Sequence, residues 1–178
     1  NTAVSVVEIG NNIFADAAVR TESAISMDAS DDEISYASIT IKGNCFDVNS
    51  EVAVIDIPAV GPRFLISNNV FVNAGTGALI AADVMVAGST LEIAGNSFDG
   101  EVAIALDGKD DRNGYLYIRD NTFTSVRALT MDAANSAATF AVNFNNNNVD
   151  TSKIAFVITN APATLATGLV ANENTFAT

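Results

Sequence analysis

Four aspartates end four short apolar stretches of this chain, and carboxylates in such a pattern could bind a cation. The stretches SAISMD, EVAVID, EVAIALD and RALTMD end at Asp28, Asp56, Asp107 and Asp132. The first two aspartates are 28 positions apart and the last two are 25 apart, so each pair could lie on adjacent coils of a repeating structure. Carboxylates stacked about 5 Å apart would repel one another, and Ca²⁺, which takes carboxylate oxygens, would relieve that repulsion. The alternative is that each aspartate starts a turn by bonding its own backbone.

A second set of charged residues could serve an enzyme. Its members are Arg63, Arg119, Arg127, Asp99, Asp110, Asp111 and Asp120. Arg119 and Asp120 directly precede Asn121, and the equivalent pairs elsewhere in the chain are uncharged or carry one charge, which is typical of solvated surface variation. The chain has no histidine, which removes the commonest general acid–base group and any histidine metal site. We therefore assign no catalytic residue from the sequence.

Two acidic stretches lie between apolar segments, DASDDEISYAS at 28–38 and DGKDDRNG at 107–114. Loops inserted between the coils of a repeat protein are common places for binding groups. The alternative is that both stretches are ordinary solvated loops. The asparagine-rich stretch NFNNNNVD at 143–150 is interpreted as one copy of a repeat with extra polar turn residues.

The elements that would position these residues come from an internal repeat. One phrase occurs seven times, as VEIGNNIF, ITIKGNCF, FLISNNVF, LEIAGNSF, LYIRDNTF, VNFNNNNV and LVANENTF. Each copy carries an asparagine at the same place, namely Asn12, Asn44, Asn69, Asn96, Asn121, Asn147 and Asn174. Successive asparagines are 32, 25, 27, 25, 26 and 27 positions apart, so the period is near 26 with one long member. Such a period is typical of a solenoid.

Apolar residues alternate with other residues inside each phrase, as at Leu91 and Ile93. A period of two predicts a strand with one buried face, and a second strand follows each phrase after Gly, Asn, Asp or Ser. We therefore predict one all-β domain, a parallel β-helix over residues 1–178. The asparagines should form a hydrogen-bonded ladder between coils. A second, aromatic ladder interrupted at Val149 should contain Phe14, Phe46, Phe71, Phe98, Phe123 and Phe176.

The motif I-x-x-N-x-F, with its two ladders, resembles the right-handed parallel β-helix repeats of the pectin-lyase-like superfamily. It is also similar to giant surface repeat proteins such as the trypanosomatid dispersed gene family. The resemblance covers nearly the whole chain and implies a right-handed solenoid of about six to seven coils of about 26 residues. It does not imply one function, because the superfamily includes pectate lyases, polygalacturonases, tailspikes and adhesins. Neither the calcium ligands and arginine base of the lyases nor the clustered aspartates of the polygalacturonases can be matched here residue by residue.

Composition narrows the range of partners. The 21 acidic residues outnumber the 8 basic ones and give a formal net charge of −13. This charge disfavours nucleic acid, because phosphate binding needs a basic surface. No uninterrupted apolar run is long enough for a transmembrane helix, so none is expected. The single Cys45 excludes a disulfide within the chain.

We therefore expect a non-catalytic structural or adhesive segment of a longer extracellular or cell-surface protein. It would present loops and flat faces to glycans, matrix or other copies, without a cofactor unless the aspartates hold Ca²⁺. The alternative is a polysaccharide-active enzyme similar to pectate lyases or polygalacturonases. An enzyme should carry a compact acidic and basic cluster in a groove spanning two or three adjacent coils, whereas a scaffold should have scattered charges.

Overall fold

The structure is a computed structural model that describes residues 5–27, 36–60, 63–85, 89–107, 114–132, 140–150, 154–159 and 168–177. These residues form twenty strands and no helix. In chain order the strands are β1 (Ser5–Gly10), β2 (Ile13–Arg20), β3 (Ile25–Ser26), β4 (Tyr36–Lys42), β5 (Cys45–Ser50), β6 (Ile55–Val60), β7 (Arg63–Ser67), β8 (Val70–Asn73), β9 (Ala78–Met85), β10 (Ser89–Ala94), β11 (Ser97–Asp99), β12 (Val102–Asp107), β13 (Gly114–Arg119), β14 (Thr122–Phe123), β15 (Arg127–Asp132), β16 (Phe140–Asn145), β17 (Asn148–Asp150), β18 (Ile154–Thr159), β19 (Gly168–Asn172) and β20 (Thr175–Ala177).

Every strand pairs in parallel with the strand three places before or after it in the chain. The first sheet has the order β1-β4-β7-β10-β13-β16-β19, the second has the order β2-β5-β8-β11-β14-β17-β20, and the third has the order β3-β6-β9-β12-β15-β18. Each coil of about 26 residues therefore gives one strand to each sheet. The predicted fold class, an all-β parallel solenoid, is confirmed.

Only part of the solenoid consists of coils whose three strands all have a hydrogen-bonded neighbour on both sides. In four consecutive coils, from β4 to β15, all three strands are hydrogen-bonded to a strand on either side. The sequence predicted about six to seven coils, and the fully flanked part is shorter than that. The reason is geometric, because each outer coil has at least one strand at the edge of its sheet.

The core runs along the inside of the solenoid and follows the period of two. The inward residues of the first sheet stack in register, so Ile66 pairs with Ile93 and Ile93 pairs with Ile118, and all three are fully buried. Each such side chain contributes roughly 1.5–3 kcal/mol relative to its exposed state. Because every coil adds equivalent side chains at the same places, burial of apolar surface is the main force that holds the coils together.

Phenylalanines of the second sheet form the predicted aromatic ladder over five coils. The rings of Phe14, Phe46, Phe71, Phe98 and Phe123 lie parallel to one another, with centroids 4.7 to 5.1 Å apart. Val149 takes the next place and is buried, so the ladder stops there as the sequence indicated. Phe176 pairs with Val149 beyond this break and is 51% exposed, so it is not stacked on the other rings.

At the end of the aromatic ladder, a phenylalanine from another sheet packs against the last ring, which the repeat did not predict. Phe144 enters from the first sheet and lies against Phe123, with ring centroids 5.5 Å apart. It is fully buried and also contacts Phe156 edge-on, at a centroid distance of 4.8 Å. The aromatic interior therefore passes from the second sheet to the first and third sheets at this coil.

The repeated asparagines form a continuous hydrogen-bonded ladder at the bend between the first and second sheets. Each backbone N–H and each side-chain Nδ2 donates to the Oδ1 of the asparagine in the next coil, over distances of 2.8 to 3.1 Å. The ladder contains Asn12, Asn44, Asn69, Asn96, Asn121, Asn147 and Asn174. From Asn44 onward, Nδ2 also donates to a backbone carbonyl of the preceding coil, as Asn69 does to Ile41 at 3.0 Å. Most side-chain amides of the ladder therefore join three coils.

The left-handed residue of each bend is the residue before the ladder asparagine. Positive φ angles of 52° to 67° occur at Asn11, Gly43, Asn68, Gly95, Asp120, Asn146 and Glu173. Six of these seven residues are Gly, Asn or Asp, which reach this region at least cost. The ladder asparagines themselves are not left-handed, and their role is hydrogen bonding.

Candidate functional site

Alternate residues of the first sheet point outward, and register places them in rows that cross the coils. Arg63, Thr90 and Tyr115 form one row, and Leu65, Glu92 and Tyr117 form the next. Ser67, Ala94 and Arg119 form a third row, which Asp120 follows at the bend. We call the group Arg63, Leu65, Glu92, Tyr115, Tyr117, Arg119 and Asp120 the first-sheet patch. It spans three adjacent coils, and its members other than the two tyrosines line an open depression of about 440 Å³.

Two tyrosines form the aromatic part of the first-sheet patch. Tyr115 and Tyr117 are two residues apart on β13, so both project from the same face. Their rings are 6.5 Å apart and inclined by only 14°, and the two residues are 50% and 37% exposed. Tyrosine offers a rigid ring face and a hydroxyl group at small entropic cost, which suits it to recognition surfaces.

A hydrogen-bonded ion network forms the charged part of the same patch. Arg119 donates from Nε to Oε1 of Glu92 at 2.9 Å, and from Nη1 to Oδ2 of Asp120 at 2.6 Å. Asn146, one coil further on, donates from Nδ2 to the other oxygen of Asp120 at 2.5 Å. The network therefore joins side chains of three successive coils and fixes the guanidinium between two carboxylates.

The network favours the charged forms of Arg119 and Asp120. Hydrogen bonds from Asn146 and then from Arg119 hold the pKa of Asp120 below its usual value, because both favour the carboxylate. Hydrogen bonds to Glu92 and then to Asp120 raise the pKa of Arg119 further. A general acid needs a pKa near the working pH. The environment of Asp120 lowers its pKa, which moves it further from that range.

Arg63 lies at the opposite side of the patch from the network. Thr90 separates its row position from that of Tyr115, so two strand spacings, about 10 Å, lie between the arginine and the tyrosine. None of the ion pairs within the described part of the chain involves Arg63. The patch therefore combines an aromatic face, an ion network with two carboxylates and one guanidinium, and one further exposed cation.

The structure brings together three of the seven charged residues that the sequence singled out for an enzyme. Arg63, Arg119 and Asp120 belong to the patch. Arg127 lies on the third sheet, where its Nη2 is 3.3 Å from Oε1 of Glu101, and Asp99 faces outward from the second sheet. Asp110 and Asp111 lie outside the described residues, as does most of both acidic stretches.

Sequence reasoning missed Glu92, Asn146 and the tyrosine pair as members of this site. A signal was present, because Glu92 lies 27 positions before Arg119 and Asn146 lies 26 positions after Asp120, which is one coil in each case. The repeated phrase predicts the inward positions, whereas its outward positions differ from copy to copy.

The four candidate calcium ligands do not form a single row. Asp107 and Asp132 are register partners on β12 and β15. Asp56 pairs instead with Ser26 and Ala81, so it lies in a different row, two residues away along the strands. Asp28 lies outside the described residues. The part of the chain that the structure describes contains no group of three or more acidic or cysteine side chains arranged to hold a metal ion. Among the described residues only Asp107 and Asp132 are register partners, and a Ca²⁺ site at these aspartates remains a prediction.

Comparisons of this chain with family models, with curated proteins and with solved structures found no match. Across the described residues, no helix reaches the length and hydrophobicity needed to span a membrane. Within its described ranges, the chain is therefore a parallel β-solenoid with an asparagine ladder inside and a polar, aromatic patch on the first sheet.

Proposed function

We propose that this chain is a non-catalytic, adhesive β-solenoid segment of an extracellular or cell-surface protein, and that its first-sheet patch binds a glycan. Kinship with the right-handed β-helices of the pectin-lyase-like superfamily belongs to the same proposal. The parallel sheets and the asparagine and phenylalanine ladders support that kinship.

The parallel pair Tyr115 and Tyr117 is the observation that carries the binding role. Large aromatic side chains seldom stay exposed side by side without a partner, because their burial is favourable. A sugar ring has an apolar face of C–H groups and an edge of hydroxyls, so it matches a tyrosine ring beside charged groups. Glu92 is the register partner of Tyr117, and Arg119 lies one row beyond Tyr117 on β13, so these side chains offer acceptors and donors to those hydroxyls.

The test is a binding assay against a panel of neutral and acidic oligosaccharides, with the tyrosines changed in two ways. Y115A/Y117A removes the ring faces and should weaken binding at least 10-fold, whereas Y115F/Y117F keeps them and should retain most of the affinity. Both tyrosines face solvent, so neither double variant should change the melting temperature much. Equal binding by the wild type and the alanine pair would remove the patch from the proposal.

A polysaccharide-active enzyme is the second candidate, because the first-sheet patch meets one criterion for it. Acidic and basic side chains gather in an open depression across three adjacent coils. Against catalysis, both carboxylates are bonded to Arg119, and the pKa of Asp120 is lowered rather than raised. Incubation with polysaccharides, with and without Ca²⁺, should yield no new chain ends. Product formation that disappears in E92Q and D120N would establish an enzyme instead.

A further inference from the structure

The depression beside the tyrosine pair has a floor of small residues. Ala94 ends β10 and Gly95 follows it at the bend, and both line the depression. Because alanine carries only a methyl group and glycine no side chain, the sheet surface is low over these two residues. Leu65 of β7 and Arg119 of β13 line the depression on either side of β10. Its volume of about 440 Å³ is within the range of small-ligand sites.

The β7 side of the depression carries uncharged hydrogen-bonding groups that no neighbour uses. Ser67 and Asn68 line this side, and Asn68 is exposed to solvent. Neither the Ser67 hydroxyl nor the Asn68 side-chain amide makes a hydrogen bond with another described residue. Both groups can donate and accept, so they match the hydroxyl groups of a sugar.

Glu92 connects the depression with the tyrosine pair. It lines the depression and is the register partner of Tyr117 on the neighbouring strand. Its Oε1 accepts hydrogen bonds from Arg119, whereas its Oε2 accepts none from the described residues. An ionised carboxylate is only an acceptor, so this oxygen can bind a hydroxyl group and repels a second carboxylate.

The charges around the tyrosines disfavour an anionic ligand. The guanidinium of Arg119 is already bonded to two carboxylates, those of Glu92 and Asp120. Arg63 makes no ion pair with a described residue, but it lies two strand spacings, about 10 Å, from Tyr115. The net charge of −13 also repels anions from the chain as a whole. A neutral ligand escapes both kinds of repulsion.

We infer that the first-sheet patch, together with its depression, binds an uncharged glycan of at least two sugar units. One unit stacks on Tyr115 and Tyr117, and the next lies in the depression over Ala94. Tyr117 and Ala94 are one strand and two residues apart, about 8 Å, a distance that two linked sugar rings can span. The inference rests on the glycan binding proposed above and adds the charge class of the ligand and a second contact.

Calorimetric titration with paired oligosaccharides tests the charge class. The neutral probes are tetrasaccharides of glucose, galactose or mannose, and each is paired with the same chain oxidised to the carboxylate at C6. In a pair that binds, the neutral member should have an at least 10-fold lower Kd, which changes less than about 2-fold between about 50 mM and about 500 mM NaCl. Tighter binding of the oxidised member would overturn the inference and leave glycan binding intact. Binding of neither member in any pair would overturn both.

The substitution N68G tests the depression without straining the bend. Asn68 has a φ of 55°, and glycine occupies the equivalent place in the coils on either side, at Gly43 and Gly95. N68G should raise the Kd for the neutral tetrasaccharide about 3- to 10-fold, because one hydrogen-bonding group is lost. The matched control N11G makes the same change at the equivalent bend of the first coil, outside the depression, and should leave the Kd unchanged. Equal Kd values for N68G and N11G, with both variants folded by their melting temperatures, would overturn the second contact.

The substitution E92Q tests the carboxylate beside the rings. Glutamine keeps an oxygen acceptor and loses the charge, so the oxidised chains should bind several-fold more tightly than they bind the wild type. The control D99N removes one charge from an exposed position of the second sheet and should have a smaller effect. An equal gain in both variants would show that only the general field acts, which would overturn the placement of the ligand beside Glu92.

Discussion

At the residue scale, the ladder asparagine Asn96 shows what one side chain contributes between coils. It donates from its backbone and Nδ2 to Asn121, donates to the Ile66 carbonyl at 2.9 Å, and accepts two bonds from Asn69. N96A would leave the buried donors of Asn69 without an acceptor, so we expect a loss of about 3 kcal/mol in the free energy of unfolding. Urea unfolding measures this loss. The control N148A, at an exposed position of β17 two coils further on, should change stability by less than about 0.5 kcal/mol. Equal effects of the two substitutions would mean that the ladder contributes little.

Gly95 shows the second residue-scale requirement, which is the left-handed turn before each ladder asparagine. Its φ is +67°, and an added Cβ would meet the side-chain oxygen of Asn68 at 2.6 Å. G95A therefore combines backbone strain with a collision, and we expect it to destabilise the fold by about 1–2 kcal/mol. Gly100 is the matched control, because its φ is not left-handed and a Cβ there would meet its nearest neighbours at 3.5 Å. Thermal melts of G95A and G100A should separate clearly, and coincident melts would show that the turn tolerates a side chain.

At the element scale, the aromatic interior behaves differently from the repeat that encodes it. A comparison of the seven phrases suggests that V149F would complete the ladder and stabilise the protein. In the structure, Phe144 already lies against Phe123, and Val149 is 1% exposed, so an added ring has no space. We expect V149F to cost about 1–3 kcal/mol through overpacking. The double variant F144V/V149F should recover part of that cost, because it returns the volume of one ring. Stabilisation by V149F alone would show that the site is underpacked.

The positions within the repeated phrase show how far the sequence could predict the fold. The phrases locate the first and second sheets, because inward residues such as Ile66 and Ile93 must repeat once per coil. The phrases do not tell which side chain fills the space beside Val149, since packing depends on a neighbour from another sheet. They also do not predict the first-sheet patch, because the bond between Arg119 and Glu92 runs diagonally between rows and depends on side-chain reach. Inward positions can be predicted from the sequence because burial requires apolar residues there. Contacts between outward positions can be predicted only when the register of all strands is known.

At the scale of the whole molecule, the solenoid separates stability from recognition. The two ladders and the inward apolar rows are repeated from coil to coil, so the cohesive interactions do not depend on what the outer faces carry. The outer faces are then free to differ, and they do, with tyrosines and an ion network on the first sheet and aliphatic residues on the second. Substitutions at these faces should alter binding while leaving unfolding nearly unchanged, which is the basis of the variants proposed above.

The excess of acidic residues also belongs to the whole molecule and leads to the calcium prediction. With a net charge of −13, the folded chain repels itself, so NaCl should raise the melting temperature modestly by screening. If Asp107 and Asp132, which are register partners, hold Ca²⁺, millimolar CaCl₂ should raise it well beyond NaCl of equal ionic strength, because binding to the native state adds stability. D107N should abolish that additional rise. D99N removes the same charge from the second sheet and should retain the additional rise. Comparison of D107N with D99N therefore separates Ca²⁺ binding at the site from general screening. Identical melting curves in the two salts would mean that these aspartates only begin turns.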